Sequence, residues 1–131
     1  MTKIKPTIIR EQDCPAEDWA KLGRNNVSWK TLLSSDRTPT DSITMGVAEI
    51  KPGAPEEIHL HRHEPAEAYY VLSGIGYVSI DGVKTAVSIG SAVFVPSNAL
   101  HAVGNNGKEV LRILYVFGVN SFKDVEYVFP D

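Results

Sequence analysis

His61, His63 and Glu67, followed 34 residues later by His101, are of the types and at the spacing that hold a divalent metal. In an extended segment residues two apart project from one face, so His61 and His63 can reach a single point. Glu67 shares their parity beyond the break at Pro65 and adds an anionic oxygen to two imidazoles. His101 must arrive from a different strand. Three imidazoles and a carboxylate suit a first-row transition metal, whereas calcium and magnesium take all-oxygen shells. If the ion is octahedral, four protein ligands leave two positions for water or substrate, unlike a closed structural zinc site. His59 has the same parity, so a shifted set built on His59 and His61 stays open; otherwise His59 stands at the pocket rim or behind a ligand.

The rest of the chain sets bounds on what such a site could serve. Its 131 residues, 43% of them hydrophobic, make one domain around one core. A formal charge of -3 with scattered basic residues provides no field for nucleic acid or an anionic membrane. No apolar run approaches the ~20 residues of a membrane span, and the start, Met1-Thr-Lys-Ile-Lys-Pro, lacks the apolar block of a secretory signal. The expected location is the cytoplasm. The single cysteine, Cys14, cannot form an intrachain disulfide, which fits a reducing compartment.

The elements that must position these ligands are short. Thr7 to Arg10 reads as a strand, and Asp13 to Gly23 as a two-turn helix with Pro15 in its first turn and Gly23 at its end. From Val27 onward the texture is β-branched and aromatic runs separated by Gly, Pro, Asn and Asp. These runs are Val27 to Leu33, Ile43 to Ile50, Glu67 to Leu72, Gly76 to Ile80, Lys84 to Val87, Ala92 to Val95, His101 to Val103 and Val110 to Phe117. Strands at such spacing predict an all-β sandwich or barrel. Asp81-Gly82 is a hairpin turn signal, and Asn105-Asn106-Gly107 a second candidate turn. The aromatic ending, Phe122 to Phe129, is expected to fold back on the barrel.

Taken together the residues resemble the two cupin motifs. Gly53, His61, His63, Glu67 and Gly74 match the first, with the spacer after Gly53 two residues longer than usual. Gly90, Pro96, His101 and Asn105 match the second, with Asn98 where glycine is common; asparagine also tolerates the left-handed conformation. The resemblance implies a cupin-type jelly-roll barrel spanning residues 1–131, with its core at about 43–118, an N-terminal strand and helix over 1–26 and a C-terminal segment over 119–131. It also implies His61, His63, Glu67 and His101 as ligands of one iron, manganese, nickel or zinc ion, and often a homodimer. A narrower similarity runs through His61-Arg-His63-Glu-Pro-Ala-Glu67-Ala-Tyr69, Asn98-Ala-Leu-His101-Ala and Val125-Glu-Tyr127. These segments are similar to the short cupin lyases that split dimethylsulfoniopropionate into dimethyl sulfide and acrylate. The tyrosines that act in those enzymes correspond to Tyr69, as base, and Tyr127, as its assistant.

The residues make that chemistry coherent. Tyr69 is two beyond Glu67 and points inward with it, while Ala68 and Tyr70 face the other side. A phenol near a divalent cation ionises more readily, and a carboxylate on that cation has a more acidic α-proton. A sulfonium substrate calls for aromatic faces, with Trp29, Phe94, Tyr115 and Phe117 as candidates; their alternative role is barrel core. Two other functions use the same motifs: an iron-dependent dioxygenase, and a non-catalytic module that binds a small carboxylate or sugar.

Overall fold

The computed structural model describes residues 3–20, 24–53 and 60–130. Among these residues the chain order is β1 (Glu17–Trp19), β2 (Arg24–Leu33), β3 (Thr44–Ile50), β4 (Glu67–Ser73), β5 (Ile75–Ile80), β6 (Val83–Ser88), β7 (Ala92–Val95), β8 (His101–Gly104) and β9 (Leu111–Phe117). They form two antiparallel sheets, β1-β2-β3-β9-β4-β7 and β6-β5-β8, the two layers of a jelly-roll barrel. Alternation decides which side faces the interior. In β9 Leu111, Ile113, Tyr115 and Phe117 are buried while Arg112, Leu114 and Val116 are only partly covered. In β4 Glu67, Tyr69 and Val71 are buried, whereas Tyr70 is 47% exposed.

Two turns behave as their residues require. Asp81 and Gly82 have φ of 47° and 86°, joining β5 to β6 in the two-residue geometry that positive φ permits. Asn98, at φ 63°, takes the left-handed conformation, and its N–H donates to the His63 carbonyl at 2.8 Å. That bond ties the turn before β8 to the segment carrying the first two histidines.

Asn105 does more than turn the chain. It is 2% exposed, its Nδ2 donates to the carbonyls of Ile50 (2.8 Å) and Glu109 (2.7 Å), and its Oδ1 accepts from Gly107 N–H (2.9 Å). Alanine there would remove the donor to the buried Ile50 carbonyl and the bonds to the Glu109 carbonyl and Gly107 N–H. Asn105→Ala is expected to lower unfolding free energy by about 2–4 kcal/mol. Urea denaturation reads this directly, and a loss of a few tenths would refute the account.

The N-terminal region differs from its sequence reading. In place of a helix over 13–23 there is a 3-10 turn at Glu11–Asp13 followed by strand β1, and residues 21–23 lie outside the described set. Isolated helices of two turns are marginal. The open edge of β2 competes successfully: Glu17 pairs with Trp29 and Asp18 with Ser28. Thr7 to Arg10 forms no strand, and Ile8 is 99% exposed.

A polar clamp holds β1. Arg37 donates through Nη1 and Nη2 to the two oxygens of Glu17 at 2.7 and 2.9 Å, and Thr31 Oγ1 donates to Glu17 Oε2 at 2.9 Å. Arg37 thereby holds the Glu17 carboxyl below its ordinary 4.5, against the opposing effect of burial and with help from Thr31. A carboxyl lowered on folding contributes stability above its unfolded pKa and loses it as pH falls through the folded value. The docking of β1 should therefore loosen below about pH 4.5, the glutamate value itself. Tryptophan emission followed during acid titration should change in that window, with onset at higher pH in Arg37→Met; coincident titrations would contradict the clamp.

Candidate metal centre

Each candidate ligand reaches the interior by a different route. His61 and His101 are opposed in an antiparallel bridge, exchanging backbone bonds of 3.0 and 2.9 Å, so the start of β8 lies beside the histidine segment. His63 precedes the Pro65 break, and Glu67 opens β4. The four side chains are 6%, 1%, 5% and 0% exposed in the order His61, His63, Glu67, His101. Their ligand atoms all lie within 4.8 Å of one another. Arg62 is exposed on the opposite side and pairs with Val128. His59 lies outside the described residues.

The protonation pattern tests whether a cation fits. His63 Nδ1 is 2.8 Å from the Pro65 carbonyl, and His101 Nδ1 is 2.8 Å from the Ala99 carbonyl. A carbonyl oxygen only accepts, so each Nδ1 carries a proton, and in the neutral imidazole, the form that binds a metal, each Nε2 presents a lone pair. Both Nε2 atoms stand 3.3 Å from Glu67 Oε1, and none of the three atoms has a hydrogen-bond partner. Acceptors converging in a buried space, with no donor among them, are unfavourable unless a positive ion sits between them. The residues fit a divalent transition metal, with imidazoles already oriented by backbone carbonyls.

Next to these ligands is a cavity of about 70 Å3 lined by Trp19, Trp29, Tyr69, Tyr115, Phe122 and Tyr127, together with His61, Glu67 and aliphatic side chains. Residues 46–117 match the family described as a cupin domain. The chain is a cupin. Over 124 residues this cupin is 34% identical to dimethylsulfoniopropionate lyase DddW of Ruegeria pomeroyi, covering 95% of this chain and 80% of that protein. It is 28% identical to the oxalate-binding protein of Thermotoga maritima, covering 83% of this chain and 91% of that one. The polyketide cyclase RemF from Streptomyces resistomycificus shares its fold, with a TM-score of 0.76 at 22% identity over 97% of this chain and 88% of that one. Among the described residues no helix is long and apolar enough to cross a membrane.

Of the aromatic residues singled out in the sequence, Trp29 and Tyr115 line the cavity. Tyr115 is in register with Tyr69 across β4 and β9, and its ring lies over Gly46, where a Cβ would collide with the Tyr115 hydroxyl and the Lys30 carbonyl. Phe117 is fully buried, its ring 5.2 Å from His63, and packs behind the ligands instead of lining the cavity. Phe94 corrects the reading: it is 67% exposed. It pairs with Ala68, and cross-strand partners share a face, so it lies on the outside with Ala68. Tyr69 and Tyr127 both line the cavity. The Tyr127 ring stands 4.7 Å from His61 and 5.1 Å from His63. Burial, then the Glu67 carboxylate and Tyr127, drive the Tyr69 phenol well above 10; burial and Glu67 do the same to Tyr127.

Two wall residues escaped the sequence reading. Trp19, assigned to a helix, packs on His61 at 5.7 Å and Tyr127 at 5.2 Å. Phe122 stands in a 3-10 turn, Phe122–Asp124, capped by Ser121. The local sequence around Trp19, with Ala16 and Leu22 three residues to either side, suits a helix and held no signal for this placement. Phe122 belongs to the aromatic ending expected to fold back on the barrel, but nothing in the sequence aimed it at the cavity.

Proposed function

We propose that this cupin is a metal-dependent carbon-sulfur lyase that cleaves dimethylsulfoniopropionate, or a similar β-substituted carboxylate, by β-elimination. The observation that carries this reading is the aromatic, nearly apolar cavity that brings Tyr69 and Tyr127 beside the ligand cluster. Its ~70 Å3 is well below the ~300 Å3 at which pockets for drug-sized ligands begin, which favours a small substrate. The 34% identity to a dimethylsulfoniopropionate lyase supports the same choice.

A divalent ion held by His61, His63, Glu67 and His101 would supply Lewis-acid polarisation of the substrate carboxylate. The Tyr69 phenolate, which the charge of that ion would favour against the opposing push of burial and Glu67, takes the proton from the carbon next to that carboxylate. The electrons of the C–H bond form the new double bond as the carbon-sulfur bond breaks, and its pair leaves on sulfur. Neutral dimethyl sulfide and acrylate result, and the proton resides on the Tyr69 oxygen until it passes to solvent. Tyr127 orients the substrate and shares the proton. The aromatic walls exclude water and receive the sulfonium.

The purified protein, loaded in turn with iron, manganese, nickel and zinc, is incubated with dimethylsulfoniopropionate and assayed for dimethyl sulfide and acrylate. Equal amounts of both without oxygen consumption are expected. No release with any of the metals would end the proposal, and oxygen uptake by the iron form would favour a dioxygenase.

A further inference from the structure

Trp19 stands on the edge strand of the larger sheet, yet its ring reaches the centre of the site. It lies 5.1 Å from Trp29, 5.2 Å from Tyr127, 5.5 Å from Phe129 and 5.7 Å from the ligand His61. Its planes with Trp29 and Tyr127 are inclined at 59° and 70°, so these rings form adjoining walls of one cavity and not a stack. No lysine or arginine among the described residues lines that space, and Glu67 is its one carboxylate. Such a surround favours a cation through the ring quadrupoles and disfavours a second anion.

The hold on this tryptophan is thin. β1 has three residues and its pairing with β2 shifts register between Asp18 and Trp19. The strongest polar anchor near Trp19 is Glu17, gripped by both Arg37 nitrogens and by Thr31. Arg37 itself does not line the cavity. We propose that Trp19 is the specificity-determining wall that selects an onium head group, and that Arg37 is the residue that positions it, acting through Glu17. The head-group chemistry rests on the lyase reading; the placement of Trp19 does not.

Two inert probes of nearly equal shape separate head-group charge from size: 3-(trimethylammonio)propanoate and 4,4-dimethylpentanoate, its isostere with an uncharged head. Calorimetry on the Mn2+-loaded protein is expected to show the onium binding about tenfold tighter or more. In Trp19→Leu the ratio should fall towards one, and in Trp19→Phe to an intermediate value. In Arg37→Met it should drop with metal content unchanged; a general loosening of the fold would weaken both probes alike and leave the ratio intact. The two tryptophans of the chain permit a second readout, because Trp29→Phe leaves Trp19 alone. Co2+ loading should quench its emission, and adding Arg37→Met should relieve much of that quenching.

An unchanged ratio in Trp19→Leu, no preference in the wild type, or no binding of either probe overturns the assignment of Trp19. Unaltered quenching and ratio in Arg37→Met overturn the positioning role. Dimethyl sulfide release, measured separately, decides the lyase reading: a preference that depends on Trp19 without any release leaves this inference standing and removes that one.

Discussion

Tyr69→Phe is expected to lower dimethyl sulfide release by about 10²–10⁴-fold, the range a positioned general base contributes, while bound metal per chain stays at the wild-type level. The change removes one oxygen and keeps the ring, so the packing of Tyr69 in β4, in register with Tyr115, is preserved. Glu67 lies two residues earlier on the same buried face and keeps its own position. Loss of rate therefore isolates the phenolic oxygen. A variant that loses metal together with activity would move Tyr69 from proton transfer to support of the ligands. One that keeps both would leave elimination without its base. Tyr127→Phe, in a residue whose ring lies 4.7 Å from His61, should reduce the rate less, because orientation and proton sharing are partly replaceable.

The second large effect is on stability. Without a cation, Glu67 Oε1 and the Nε2 atoms of His63 and His101 face one another as acceptors without a donor. Binding to the folded state alone stabilises by mass action, about 4 kcal/mol when free metal is near a thousand times its dissociation constant. At ~2–6 °C per kcal/mol for a domain of this size, chelation should lower the melting temperature by roughly 10–20 °C. Glu67→Gln supplies the internal check. Its amide N–H2 can donate to an imidazole Nε2 and removes the buried charge, so the metal-free variant should be more stable than metal-free wild type by about 1–3 kcal/mol. The same variant should gain little from added metal. Calorimetric melting of both proteins, with and without chelator, measures each term. If the metal-free variant melts below metal-free wild type, the frustration assigned to the empty ligand set is wrong.

The fold and the ligand set were readable to different depths for physical reasons. Strand patterning is local: alternation in Glu67 to Ser73 and Leu111 to Phe117 needs only the chain's own period of two, and the observed burial follows it. The Asp81-Gly82 hairpin and the left-handed Asn98 are equally local. Register across strands is another matter. Phe94 looked like any inward aromatic until its pairing with Ala68 placed it outside. Asn105 looked like a turn residue, but its bonds to Ile50 and Glu109 make it a staple between distant segments. The helix expected near Trp19 lost to an open sheet edge, an opportunity that exists only once β2 is in place.

By itself the sequence determined the ligand types, the inward parity of Glu67 and Tyr69, and the all-β architecture, because each follows from side-chain chemistry and near-neighbour geometry. Tertiary structure alone decided that His101 would meet His61 across a bridge, that Trp19 and Phe122 would wall the cavity, and that the imidazoles would turn their lone pairs together. Those outcomes depend on backbone carbonyls and strand edges far apart in the chain, which no local pattern records.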